Sequence, residues 1–165
     1  VSYEYTIAEA IEDGRLCHYE YFPHFVSMTE NEATEYRDIS WRKFKMERVL
    51  EKANISPADA AKLRGQIENL NFEMSGIIKK ATNKPDCCRD VINEEFPDDG
   101  QSIIFCEDHE QETEIKNVLD NMTPSRRYTT YHSGLTKYQK QEQRSSFERG
   151  DTPILLGINC LDDGL

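Results

Sequence analysis

Apolar residues recur along this chain at two different spacings, and the change from one to the other divides it. Between residues 29 and about 95 they fall three and four apart, the period of a helix with one buried face. From residue 102 onward, short unbroken apolar runs alternate with further helix-period segments. Thr29 with Glu32 forms a capping box that opens a long helix, in which Ala33, Tyr36, Val49 and Leu50 suggest an apolar face crowded by charge. Ser56 caps a second helix with Pro57 in its first position, and Leu63, Ile67, Leu70, Met74, Ile77 and Ile78 follow at helical spacing. The short turn at Asn54 and Ile55 makes the two an antiparallel hairpin, expected to be structural and to pack on one side of the lobe formed by the last third of the chain. Asn83, Lys84, Pro85 and Asp86 punctuate the chain, and another helix runs to about Glu95.

Beyond a turn rich in Pro, Asp and Gly, the run Ser102–Cys106 is short, β-branched and aromatic, which suits a strand buried on both faces. Asp108 and Gln111 open a helix with Ile115, Val118, Leu119 and Met122 on one face, and Pro124 stops it. Tyr128 to His132 forms a second strand. Ser133 and Gly134 lead from it to a helix capped by Thr136 with Gln139, carrying Tyr138 and Phe147 and ended by Gly150. Pro153 to Ile158 is the third strand. Strands alternating with helices of this length need crossover connections, so the sheet should be parallel, with ligand-facing loops at the carboxyl ends of its strands. Those ends are Cys106, His132 with Ser133, and Asn159 with Cys160.

The start of the chain is different. Thr6 and Glu9 form a capping box for a short helix through Ile7, Ala10 and Ile11, with Gly14 as its stop. Residues 16–28 then crowd Tyr19, Tyr21, Phe22 and Phe25 around Pro23, a composition that suits an edge strand better than an aromatic box for bases.

With 165 residues, 37% apolar and 31% charged, the chain can bury one domain core with an appended subdomain. No run approaches the ~20 apolar residues of a membrane span and no secretory leader opens the sequence, so the cytoplasm is the expected compartment. Five cysteines without a CxxC pair signal neither a disulfide framework nor a zinc site, and are read as reduced, mostly buried thiols. A net charge of −11 opposes a strong grip on nucleic acid by this chain alone. Cations gather locally at Lys79, Lys80 and Lys84, at Arg126 and Arg127, and at Lys137, Lys140, Arg144 and Arg149. Only Lys137 and Lys140 lie near a strand's carboxyl end.

SIIFCEDHEQ at 102–111 looks like motif IV of the superfamily 2 helicases and translocases. YHSGLTKYQKQEQRSSFERG at 131–150 resembles the segment that comes after it in that family, and ILLGINCLDDGL at 154–165 resembles motif V. One departure is Lys140, where the family commonly carries Arg seven residues before the Phe; the charge is kept and the bidentate fork is lost. TIAEAIEDGRLCHYEYFPHFVSMTENE at 6–32 is similar to the junction between the two lobes of such enzymes, and IIKKATNKPDCCRDVI at 77–92 to the helix before motif IV. The resemblance is to the second RecA-like lobe of the restriction and repair branch.

That resemblance implies an α/β fold, a parallel-sheet RecA-like C-terminal lobe left incomplete within motif V, preceded by a helical hairpin and an extended N-terminal segment. The implied divisions are 1–29 as interlobe junction, 30–96 as helical subdomain and 97–165 as the partial lobe. It further implies that His132, Ser133, Gly134, Lys137, Lys140, Asn159 and Cys160 meet a nucleic acid, DNA in preference to RNA, and that Asp163 and Gly164 lie towards the nucleotide cleft. ATP and Mg²⁺ would be held together with the first RecA-like lobe, since no GxxxxGK[ST] phosphate loop occurs here. The fragment alone is expected to hold neither, to carry no catalytic residue or metal site of its own, and to be inactive. Two competing readings remain. One is a non-enzymatic α/β interaction module; the other is a Mg²⁺-dependent enzyme using Asp162, Asp163 and Asp108.

Overall fold

The computed structural model describes residues 6–51, 55–94, 96 and 100–158. In chain order the elements are α1 (Ile7–Glu12), α2 (Glu30–Leu50), α3 (Pro57–Lys79), α4 (Lys84–Glu94), β1 (Ser102–Cys106), α5 (His109–Asn121), β2 (Tyr128–His132), α6 (Lys137–Glu148) and β3 (Ile154–Ile158). The strands form one parallel sheet in the order β1-β3-β2, with Cys106, Ile158 and His132 level at its carboxyl end. β3 takes the centre because every one of its residues is apolar or Gly and all five are buried. Replacing Leu155 or Leu156, both fully enclosed, by Ala should cost about 2–5 kcal/mol.

One sheet face carries Ile104, Cys106, Ile154, Leu156 and Ile158, packed against Ile92 of α4 and Ile115 and Leu119 of α5. On the other face α6 lies along β2, where the Thr129 hydroxyl donates to the Gln143 side-chain oxygen. β1 is not buried on both faces as expected. It is an outer strand, and its outward residues Ile103 and Phe105 stay open, Phe105 at 69% exposure, because α6 covers the β2 side only.

Local signals were obeyed at the helix starts. Thr6 with Glu9, Thr29 with Glu32 and Thr136 with Gln139 all close as capping boxes, and Ser56 caps α3 ahead of Pro57. Gly14 and Gly150 sit at φ +66° and +77° just past their helices, a conformation that favours glycine. The apolar face of α2 differs from expectation. Ile39 is its buried residue, whereas Ala33 and Val49 face outward.

The expected edge strand at 16–28 is absent: this stretch has no ladder, and Phe25 is 94% exposed. Strand propensity is realised only where a partner offers a ladder, and every described ladder runs through β3. The segment is tied down instead at its end, where the Asn83 side-chain amide donates to the Ser27 carbonyl at 2.8 Å.

α2 and α3 pack mainly on each other rather than on the sheet. Their base is fastened by Glu32, whose Oε1 accepts from the backbone N–H and hydroxyl of Thr82, both at 2.7 Å. No helix among the described residues is long and apolar enough to cross a membrane.

Candidate nucleic-acid interface

A parallel sheet sends all its strands out at one end, and the segments leaving that end are brought together whatever their distance in sequence. From β1 the chain passes through Glu107 and Asp108 into α5. Asp108 caps the helix by accepting from the Gln111 N–H at 3.0 Å, and forms an ion pair with Lys80. Its carboxyl is held below the ordinary value, first by that N–H and then by Lys80. Lys79 pairs with Glu107 at 3.0 Å, and the Gln111 side chain donates to the Lys79 carbonyl at 2.9 Å. The end of α3 is thereby clamped over the exit of β1. The charge of Asp108 is matched by Lys80; the other two carboxylates of the carboxylate-enzyme reading, Asp162 and Asp163, lie outside the described residues.

β2 ends at His132, and the Leu135 N–H donates back to the His132 carbonyl at 3.2 Å, closing the Ser133–Gly134 turn. A Cβ on Gly134 would lie 3.2 Å from His132 Nδ1 and 3.3 Å from Cε1, so the glycine provides room for the ring. The His132 ring meets His109 edge to face, with centroids 4.8 Å apart. His132 Nδ1 is buried and finds no hydrogen-bond partner among the described residues.

Lys137 opens α6 and is exposed; Lys140, one turn later, lies over the Tyr131 ring at 5.8 Å. Four residues of the expected interface, His132, Ser133, Gly134 and Lys137, therefore share the β2–α6 connection, with Lys140 drawn back along the sheet face. Asn159 and Cys160, and likewise Asp162, Asp163 and Gly164, lie outside the described residues.

Sequence reasoning missed His109 and Glu112. Glu112 is only 4% exposed, with His109 Nδ1 3.0 Å from one carboxylate oxygen and Lys116 Nζ 3.0 Å from the other. Burial pushes its carboxyl up, but His109 and Lys116 outweigh burial and hold it below the ordinary value. The signal was present: Glu112 occupies the same helical stripe as Ile115 and Leu119, where a charge needs a partner.

The arrangement offers an imidazole pair, hydroxyl and backbone donors and the exposed Lys137 on a single rim, groups that position a phosphodiester backbone without reading sequence. Known proteins share the fold. The family described as "Helicase conserved C-terminal domain" matches residues 83–165. Among solved structures, the C-terminal domain of a Sulfolobus solfataricus SWI2/SNF2 ATPase superimposes with a TM-score of 0.58 at 12% identity, over 79% of this chain and 59% of that one. The present chain thus spans well under two thirds of that structure, and the likeness concerns the fold. No curated protein matches.

Proposed function

Because the chain belongs to the helicase conserved C-terminal domain family, we propose that it is the second motor lobe of an ATP-dependent helicase or translocase of the restriction or repair type. It acts on DNA in preference to RNA, within a cytoplasmic protein that also carries a first RecA-like lobe. The observation that carries the reading is the convergence of His132, Ser133, Gly134 and Lys137 with His109 at the carboxyl end of a parallel sheet. There the β2–α6 connection forms the track for the backbone, with Lys140 beside it; Asn159 and Cys160, outside the described residues, are assigned to the same contact by the family resemblance. Residues 1–29 serve as the interlobe junction, 30–96 as a helical subdomain and 97–165 as the lobe proper.

ATP with Mg²⁺ supplies the free energy of lobe closure when bound. The chain carries no GxxxxGK[ST] phosphate loop of its own. This chain's part is to close on the nucleotide through Asp163 and Gly164 and to hold the strand through the β2–α6 turn. The isolated chain is accordingly inactive.

The test uses the full-length protein. Asp163→Ala should lower the ratio of nucleic-acid-stimulated to basal phosphate release while leaving the thermal melt unchanged, since site-to-site coupling is typically ~1–3 kcal/mol. Lys137→Glu with Lys140→Glu should weaken strand binding measured by anisotropy, and single-stranded DNA should stimulate more than RNA of equal length. An unchanged stimulation ratio in a normally folded Asp163→Ala protein would return the interaction module to the front.

A further inference from the structure

The face of α2 opposite Ile39 carries Arg37, Trp41, Phe44 and Arg48, at i, i+4, i+7 and i+11, so the four form one stripe pointing away from α3. Trp41 and Phe44 stack on each other with centroids 5.5 Å apart and planes 19° from parallel, yet remain 56% and 48% exposed. Lys45 Nζ stands 5.3 Å from the Trp41 centroid. Arg37 donates to the Thr34 hydroxyl at 3.5 Å, while Arg48 is paired with Glu51 at 2.9 Å. Arg37, Trp41 and Phe44 line an open hollow of about 590 Å³, with Asp38 the acidic group at its edge.

Charge selects the occupant. In a chain of net −11, this face carries Arg37, Lys45 and Arg48 against Asp38 at its edge and the Glu51 that pairs with Arg48, while Arg42 lies on the α3 side, so the stripe is a local positive patch on an acidic molecule. Exposed aromatic planes flanked by arginines are what a single strand requires: a ring for a base to stack on and cations for the phosphates either side.

We propose that the Arg37–Trp41–Phe44–Arg48 stripe of α2 binds single-stranded nucleic acid, as a second contact distinct from the β2–α6 turn. The inference stands on α2 itself and gives the hairpin a task beyond support.

Trp41 is the only tryptophan in the chain, so its emission reports this surface alone. Titrating a dT oligomer of about fifteen nucleotides, near the upper site size of a single-strand-binding module, should quench Trp41 saturably. The apparent affinity should fall several-fold between about 50 and 200 mM salt. Arg37→Gln with Arg48→Gln, and separately Phe44→Ala, should each weaken it at least fivefold with the helical circular dichroism retained. Lys137→Glu with Lys140→Glu should leave the quench in place. Oligomer binding seen by anisotropy with no change in Trp41 emission overturns the inference while leaving the motor-lobe reading intact. Equal quenching by poly-glutamate, or a concentration-dependent shift of emission accompanied by dimer mass, overturns it in favour of an acidic protein or a second copy.

Discussion

His109 and His132 meet edge to face at 4.8 Å, one opening α5 and the other ending β2, and each is further fixed from behind. Glu112 holds His109 through Nδ1, and Gly134 leaves the space in which the His132 ring lies. The pair is the physical link between the exits of two strands that never hydrogen-bond to one another, since β3 stands between them.

Gly134→Ala should therefore act through the imidazole. The new Cβ would press on Nδ1 and Cε1, and the glycine has no left-handed φ that would make the substitution costly by itself. In a cycle with His132→Ala, urea unfolding should show a coupling on the order of 0.5–1 kcal/mol, within the usual range for residues in contact. Equal cost of Gly134→Ala in both backgrounds would mean that the ring is not the obstacle.

Glu112→Ala should destabilise by about 1–3 kcal/mol, because it strips the partner from Lys116 in a mostly buried position. Glu112→Gln keeps the shape and an acceptor for His109 and should cost less. Denaturant midpoints of the three proteins decide the order, and a Gln variant worse than Ala would contradict the assigned hydrogen bonding.

Glu32 makes a pH-dependent clasp. Its carboxylate accepts from the backbone N–H of Thr82 and then from that of Thr29, which lowers its pKa from 4.5 to about 2. A depressed acid contributes stability that is complete above its unfolded value and is lost as pH falls through the folded one. The melting-temperature gap between wild type and Glu32→Gln should thus be constant above about pH 5 and shrink between 4.5 and about 2. A gap that grows on acidification would refute the clasp.

The thiols should divide by burial. Burial pushes Cys88 and Cys106 up to about 11, with Glu112 adding to the shift at Cys106, whereas Cys17 is exposed. Iodoacetamide at neutral pH followed by peptide mass spectrometry should label Cys17 in the folded protein and reach Cys88 and Cys106 only after unfolding. Fast labelling of Cys106 in the native state would mean that the core opens readily.

What could be read from residues alone was whatever is decided within a few positions of itself. The capping pairs at Thr29 and Thr136, the Pro57 start and the Gly150 stop are settled by neighbours in sequence, so they survived folding unchanged. The parallel arrangement was also legible, because the lengths of the crossovers dictate it. Which strand lies inside is not, because it depends on the sheet order: Phe105 sits on an outer strand, on the face that α6 leaves open. Residues 16–28 have the composition of a strand, but their ladder depended on a partner that no local pattern announces. Glu112 is not legible from the apolar members of its helical stripe, because the cation that donates to it, Lys116, lies one turn on and His109 one turn back.

The central place of β3 also sets an order of events during synthesis. Both ladders run through it, Ser102 pairing with Ile154 on one side and Tyr128 with Ile154 on the other, so β1 and β2 leave the ribosome without a mate. Until residues 154–158 emerge, Ile104 and Cys106 have no strand beside them to complete their packing. Such non-local pairing is slow and exposes apolar surface while it waits. A nascent chain paused after α6 keeps that surface uncovered, and the sheet assembles when its middle arrives.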